Sequence, residues 1–100
     1  MRKITSEVCK AFENGRKFSK GNSSTDGITM FLHGNAIAKH TPEGIMITDA
    51  GWATNTTKER LNGLRGVSIV QKKGVWFVNG VEWETEQNGY YQFHNWLLVK

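Results

Sequence analysis

The chain has 100 residues, 38% of them apolar and 11% aromatic, with a formal net charge of +4. That length fits one α+β-sized domain with its own core, and that apolar share excludes disorder throughout. The single cysteine, Cys9, excludes an internal disulfide and suits a reducing compartment, and no apolar run reaches the roughly 18 residues that a membrane helix needs.

The first residues, Met1 to Glu7, turn polar before a signal-peptide core could form, so the cytoplasm is the expected location. Thr5 or Ser6 can cap a first helix, in which Ile4, Val8, Ala11 and Phe12 recur at helical spacing, and Gly15 ends it. Cys9 lies beside that stripe and reads as a small core hydrophobe. Residues 15–27, basic at the start and Ser/Asn-rich at the end, read as a flexible loop.

Ile28–His33 and Ala36–His40 flank Gly34-Asn35, a two-residue hairpin signal that pairs Leu32 with Ile37 and His40 with Thr29. Ile28, Met30, Leu32 and Ile37 then share the core face. Thr41-Pro42-Glu43-Gly44 reads as a type I turn, and Ile45–Thr48 as the next strand. Thr56-Thr57-Lys58-Glu59 has capping-box spacing and starts a second helix, which ends at Asn62-Gly63 through a left-handed glycine.

Val67–Val70 and Val75–Val78 are strands separated by Lys72-Lys73-Gly74, which fits either a two-residue turn or a bulged three-residue loop. Asn79-Gly80 is a strong hairpin signal, placing Val78 opposite Val81, Phe77 opposite Glu82 and Trp76 opposite Trp83. Trp76, Val78, Val81 and Trp83 then form a core face. The aromatic segment 87–100 would close the sheet, dock on the core, or remain exposed as a partner site. The expected architecture is one α+β domain over 1–100: an antiparallel sheet of five to six strands with two short helices.

Charge is unevenly placed. Residues 58–73 carry Lys58, Arg60, Arg65, Lys72 and Lys73 against Glu59 alone, whereas Glu82, Glu84 and Glu86 follow. Such a basic edge can steer an acidic partner or contact phosphate, with Trp52 as an anchor or a core plug. Chemistry-bearing patterns are otherwise sparse. His33, His40, His94 and Cys9 lack metal-ligand spacing, and neither a phosphate loop, a dinucleotide fingerprint nor a nucleophile elbow appears. No metal or cofactor is expected, and no catalytic residue is nominated. Lysines beside Trp76 and Phe77 allow a sequence-tolerant nucleic-acid contact.

Three segments resemble short accessory proteins of tailed bacteriophages and prophages: His33-Gly34-Asn35-Ala36-Ile37-Ala38, the stretch from Gly51 through Trp52 and Lys58-Glu59-Arg60 to Leu64, and the stretch from Val67 to Gly80. The resemblance covers residues 1–83, and the tail from Glu84 departs from it. It implies expression in a bacterial cytoplasm among small genes, many of which encode stoichiometric blockers of host proteins. The expectation is a non-enzymatic protein that binds and inhibits or redirects a bacterial host protein or nucleoprotein through Lys58, Arg60, Arg65, Lys72, Lys73 and Trp52. The alternative is a small basic nucleic-acid-binding regulator. A virion or homo-oligomer component held by the aromatic tail is a third reading.

Overall fold

The computed structural model describes residues 2–51, 54–88 and 91–99. Among them are two helices, α1 (Lys3–Glu13) and α2 (Asn55–Asn62). The strands are β1 (Phe18–Lys20), β2 (Ser23–Thr25), β3 (Thr29–Leu32), β4 (Asn35–Thr41), β5 (Gly44–Ile47), β6 (Ile69–Lys72), β7 (Val75–Val78), β8 (Val81–Glu82), β9 (Thr85–Asn88), β10 (Tyr91–His94) and β11 (Leu97–Leu98). They form a six-stranded antiparallel sheet in the order β1-β2-β3-β4-β5-β11, a three-stranded sheet β6-β7-β8 and the hairpin β9-β10. The α+β class is as expected. The strands exceed the five to six expected, because residues 15–27, expected to be loop, contain the β1–β2 hairpin and the C-terminal segment adds β9, β10 and β11.

Helix α1 lies over β1, β2 and β3, and α2 over β4 and β6. Val8 and Phe12 are wholly buried in a core shared with Met30, Leu32, Ile37, Ile47, Leu61, Trp76 and Trp83. Burial of a side chain such as Phe12 contributes about 1.5–3 kcal/mol. The ring of Phe12 also stacks on His40, with centroids 4.3 Å apart. At the end of α1, Arg16 donates to the Ala11 carbonyl at 2.8 Å and Gly15 to Phe12 at 3.1 Å. With Gly15 at φ +68°, this is the paired-bond ending that left-handed glycine permits. The helix begins one turn earlier than Thr5 or Ser6 would allow as caps: Arg2 is the N-cap and Thr5 is buried inside.

The β3–β4 turn is His33-Gly34, one residue before the expected Gly34-Asn35, with φ +52° and +80°. Leu32 therefore pairs with Asn35, and Phe31 with Ala36. A bulge at Met30/Phe31 leaves Ile37 unpaired and sets Met30 opposite Ala38. The extra residue turns both Ile37 and Ala38 inward and leaves Lys39 outward, its ammonium 4.1 Å from the Trp96 ring. His40 consequently pairs with Ile45 on β5, and Lys39 takes the expected place of His40 opposite Thr29. Ile28, expected in the core, is 64% exposed, because Asp26 Oδ1 accepts from the Ile28 and Thr29 amides and makes a turn there.

The cap of α2 is Thr54, whose hydroxyl accepts from the Thr57 amide at 3.2 Å. The predicted Thr56–Glu59 box does not form, since Glu59 is engaged by Thr5 and Arg60 instead. Gly63 does follow the helix, but at φ −75° it is right-handed. Its role is proximity: a Cβ there would meet Cys9 Sγ at 2.6 Å and Thr5 Cγ2 at 2.7 Å. Asn62 then joins α2 to β6, donating to the Ile69 carbonyl at 3.0 Å and accepting from the Ile69 amide at 2.6 Å.

Lys73-Gly74 is a two-residue turn, with Lys72 opposite Val75, which resolves the two alternatives. The Asn79-Gly80 hairpin has the expected register, with Val78 opposite Val81 and Phe77 opposite Glu82, and Trp83 donates to the Trp76 carbonyl at 2.9 Å. Trp76, Val78 and Trp83 are buried, but Val81 at the tip is 70% exposed. In the C-terminal segment, β11 closes the large sheet on β5, and Leu97 and Val99 pack against the core.

Candidate functional site

The predicted basic edge separates into three kinds of residue. Lys72 and Lys73 are exposed at the β6–β7 turn and form no ion pair among the described residues. Lys58 spans from α2 to β6, donating to Gln71 Oε1 at 2.9 Å with its ammonium 5.7 Å from the Trp76 ring centroid. Arg65 is largely exposed beyond α2 and only loosely paired with Glu13 at 3.9 Å. Trp52 lies outside the described residues.

Arg60 does not belong to this edge. It is 2% exposed, and its guanidinium donates to Ser23 Oγ at 2.8 Å, Thr5 Oγ1 at 2.6 Å and Glu59 Oε1 at 2.7 Å. A buried guanidinium keeps its charge only if its donors are met, and these partners come from α1, α2 and β2. Arg60 is therefore the tie between those elements. The Thr5 hydroxyl, donating at 2.7 Å, is the main cause that holds the Glu59 carboxyl below its usual range, with Arg2 and Arg60 adding to it. Cys9 donates to the Arg60 carbonyl at 3.1 Å, and burial, reinforced by Glu13, pushes its thiol up to about 12. That thiol is a packed hydrophobe rather than a nucleophile.

The three-stranded sheet exposes an apolar outer face. Cross-strand pairing puts Val70 beside Phe77, Lys72 beside Val75, and Phe77 beside Glu82 on one side, opposite in direction to buried Ile69, Trp76 and Val78. Val70 is 45% exposed and Val75 is also exposed, so a strip of valine and phenylalanine runs between two unpaired lysines and a carboxylate. The sequence singles out the lysines and sets Phe77 on the face away from the tryptophans, but leaves open which face the Val67–Val70 strand buries. The Lys72–Val75 register settles it, with Val70 facing out beside Phe77.

A second arrangement had no signal in the sequence. Asp49, just after β5, is fully buried, and its Oδ2 accepts from both the backbone amide of His94 at 3.0 Å and the ring Nδ1 at 2.6 Å. Thr48 Oγ1 donates to the His94 carbonyl. The His94 ring stacks on Trp76 at 4.9 Å and contacts Trp83 at 4.7 Å. Asp49, His94 and the two tryptophans line a cleft of about 410 Å³ together with Gln71, Glu82, Glu84 and Thr85. One carboxylate thus fixes both the backbone and the ring of one histidine, which fastens β10 to the large sheet and seats the smaller sheet on the imidazole. Among the described residues, no group of three or more His, Cys, Asp or Glu side chains could hold a metal ion.

A family model described as Kyanoviridae Gp96 protein matches residues 1–97. The chain belongs to that family. It is thus a phage protein, as the earlier resemblance implied. The match runs through β9, β10 and β11, so the segment from Glu84 onward lies within the family's span and does not depart from it after residue 83. No curated protein and no solved structure matches the chain. Among the described residues, no helix is long and apolar enough to cross a membrane.

Proposed function

We propose that this phage protein is a non-enzymatic binder that occludes or redirects a bacterial host protein or nucleoprotein in the host cytoplasm. The observation that supports this reading is the outer face of β6-β7-β8, where Val70 and Val75 lie exposed and Phe77 half-buried between Lys72, Lys73 and Glu82. An apolar centre with a charged rim of both signs is the make-up of a protein interface. The lysines would steer the encounter, and the apolar strip would hold the complex.

Glu82 argues for a protein over a nucleic acid as the direct partner. It stands opposite Phe77, so a base stacked on that ring would bring its phosphate towards a carboxylate. Capture from bacterial lysate by the tagged protein, before and after nuclease, tests the reading. The expected result is a discrete protein that survives nuclease and is lost with Val75→Glu, a variant whose circular dichroism stays native. Retention of nucleic acid, with a steep log-linear loss on adding salt, would instead make this a nucleic-acid-binding regulator using the same lysines.

A further inference from the structure

Among the described residues, the large sheet ends at β11 and the small sheet at β8 with no further strand paired beyond them, and those edges meet across one groove. β11 is the last strand of the large sheet, pairing Leu97 with Ile47 and Leu98 with Met46, and Val99 donates to the Ile45 carbonyl at 2.9 Å. Alternate residues of an antiparallel strand direct their backbone groups to opposite sides. Since Val99 points to β5, the Leu98 amide and carbonyl point away from it, to the open side. Across the groove, Trp83 donates to Trp76, so the backbone of Glu82 likewise faces away from β7.

The groove has a volume of about 560 Å³, with Val81 on one wall and Leu98, 47% exposed, on the other. Its floor is fixed, because the Trp83 indole donates to the Asn95 carbonyl at 3.2 Å. Glu82 and Glu84 stand exposed at the rim, and neither makes an ion pair among the described residues. An open strand edge beside apolar side chains invites another strand, and chains usually protect such an edge with lysine, proline or a cover. Here the charged residues lining the groove are carboxylates, in a chain whose net charge is +4, and the Lys39 ammonium is engaged on the Trp96 ring.

We propose that this groove binds an extended peptide segment of alternating apolar and basic residues, added as a strand to the edge of β11. The backbone of the segment would bond to Leu98. Its apolar side chains would pack on Val81 and Leu98, and its basic side chains would pair with Glu82 and Glu84. Strand addition takes affinity from main-chain bonds and specificity from alternate side chains. Val81 lies off the Val75–Phe77 face while Glu82 borders both surfaces, so the Leu98 exchange readout, which the host-partner reading does not involve, keeps the two readings distinguishable.

The test uses a capped octapeptide of alternating Lys and Val, its Glu–Val counterpart, and a Lys–Val version N-methylated on alternate residues. Binding is followed by tryptophan fluorescence and by hydrogen exchange at the Leu98 amide. Saturable binding of the Lys–Val peptide is expected, with protection of the Leu98 amide. Affinity should fall about tenfold or more with Glu82→Lys plus Glu84→Lys, and similarly for the N-methylated peptide, while Lys72→Glu plus Lys73→Glu should not weaken it. The proposal is overturned if the Glu–Val or N-methylated peptide binds equally well, if Leu98 exchange is unchanged, or if nothing saturates by about 1 mM. Protection of Leu98 that grows with protein concentration alone would overturn it too, by making a second copy the occupant.

Discussion

Gly63 shows how a single atom can be excluded by packing rather than by backbone angle. At φ −75° any residue could adopt its conformation, yet an added Cβ would stand 2.6 Å from Cys9 Sγ and 2.7 Å from Thr5 Cγ2, where α1 crosses α2. Gly63→Ala is expected to destabilise the fold by about 1–3 kcal/mol, read from urea denaturation, because helix-to-helix contact must open. Adding Cys9→Ala and Thr5→Ser, which remove both obstructing atoms, should recover part of that loss. Glu59 gives a pH dependence at the same contact. Its folded value is lowered, chiefly by the Thr5 hydroxyl, so its stabilising effect is fully present above its ordinary value of 4.5 and is lost as pH falls through the lowered value. The stability difference between the native chain and Glu59→Gln should therefore shrink in denaturation curves taken progressively below pH 4.5. Asp26, lowered by the Thr29 and Ile28 amides, titrates in both proteins and cancels in that comparison.

At the scale of the element, the hairpins show how turn chemistry and burial divide the control of register. Asn79-Gly80 and Lys73-Gly74 both take two successive positive φ values, which suit the twist of the strands they join. His33-Gly34 does the same at φ +52° and +80° although histidine is less at ease there than asparagine. The turn is placed by its surroundings: the His33 amide donates to the Asn22 carbonyl at 2.8 Å, and the bulge beyond it keeps Lys39 out of the core. His33→Asn should accordingly stabilise the protein by about 0.5 kcal/mol in thermal or urea unfolding, with the β3–β4 cross-strand contacts unchanged by NMR. A Gly34-Asn35 turn, if that were the true one, would show no such gain.

Across the whole molecule, Asp49 and His94 connect what the hairpins alone leave separate. The small sheet reaches the imidazole through Trp76 and Trp83, and the imidazole reaches β5 through Asp49. Removing the ring leaves a void between two tryptophans and a carboxylate with one partner fewer. His94→Ala is expected to cost about 3 kcal/mol and to weaken the near-ultraviolet signal of the packed tryptophans. Asp49→Ala combined with it should add much less than its own separate effect, since the two residues act as one unit. A fully additive double variant would show that they stabilise independently.

Much of this was legible from residues close in sequence. The Asn79-Gly80 pairing, the Pro42-Glu43 turn and the apolar stripe of α1 all follow from local steric and periodic rules, which act within a few residues. Lys72 and Lys73 are likewise legible as exposed, since they flank and enter a tight turn. The cap of α2 is not legible locally because Glu59 has a stronger partner in Thr5, 54 positions away, and Arg60 reads as a surface charge because its partners Thr5 and Ser23 lie 55 and 37 positions away. The Asp49–His94 clip joins residues 45 apart, and the groove between β8 and β11 exists only where two sheet edges converge. Local conformation is set by near neighbours and therefore by the sequence read in order. Which polar groups are buried together, and which strand edges stay open, was decided by the tertiary structure, because desolvation and pairing depend on what the rest of the chain brings alongside.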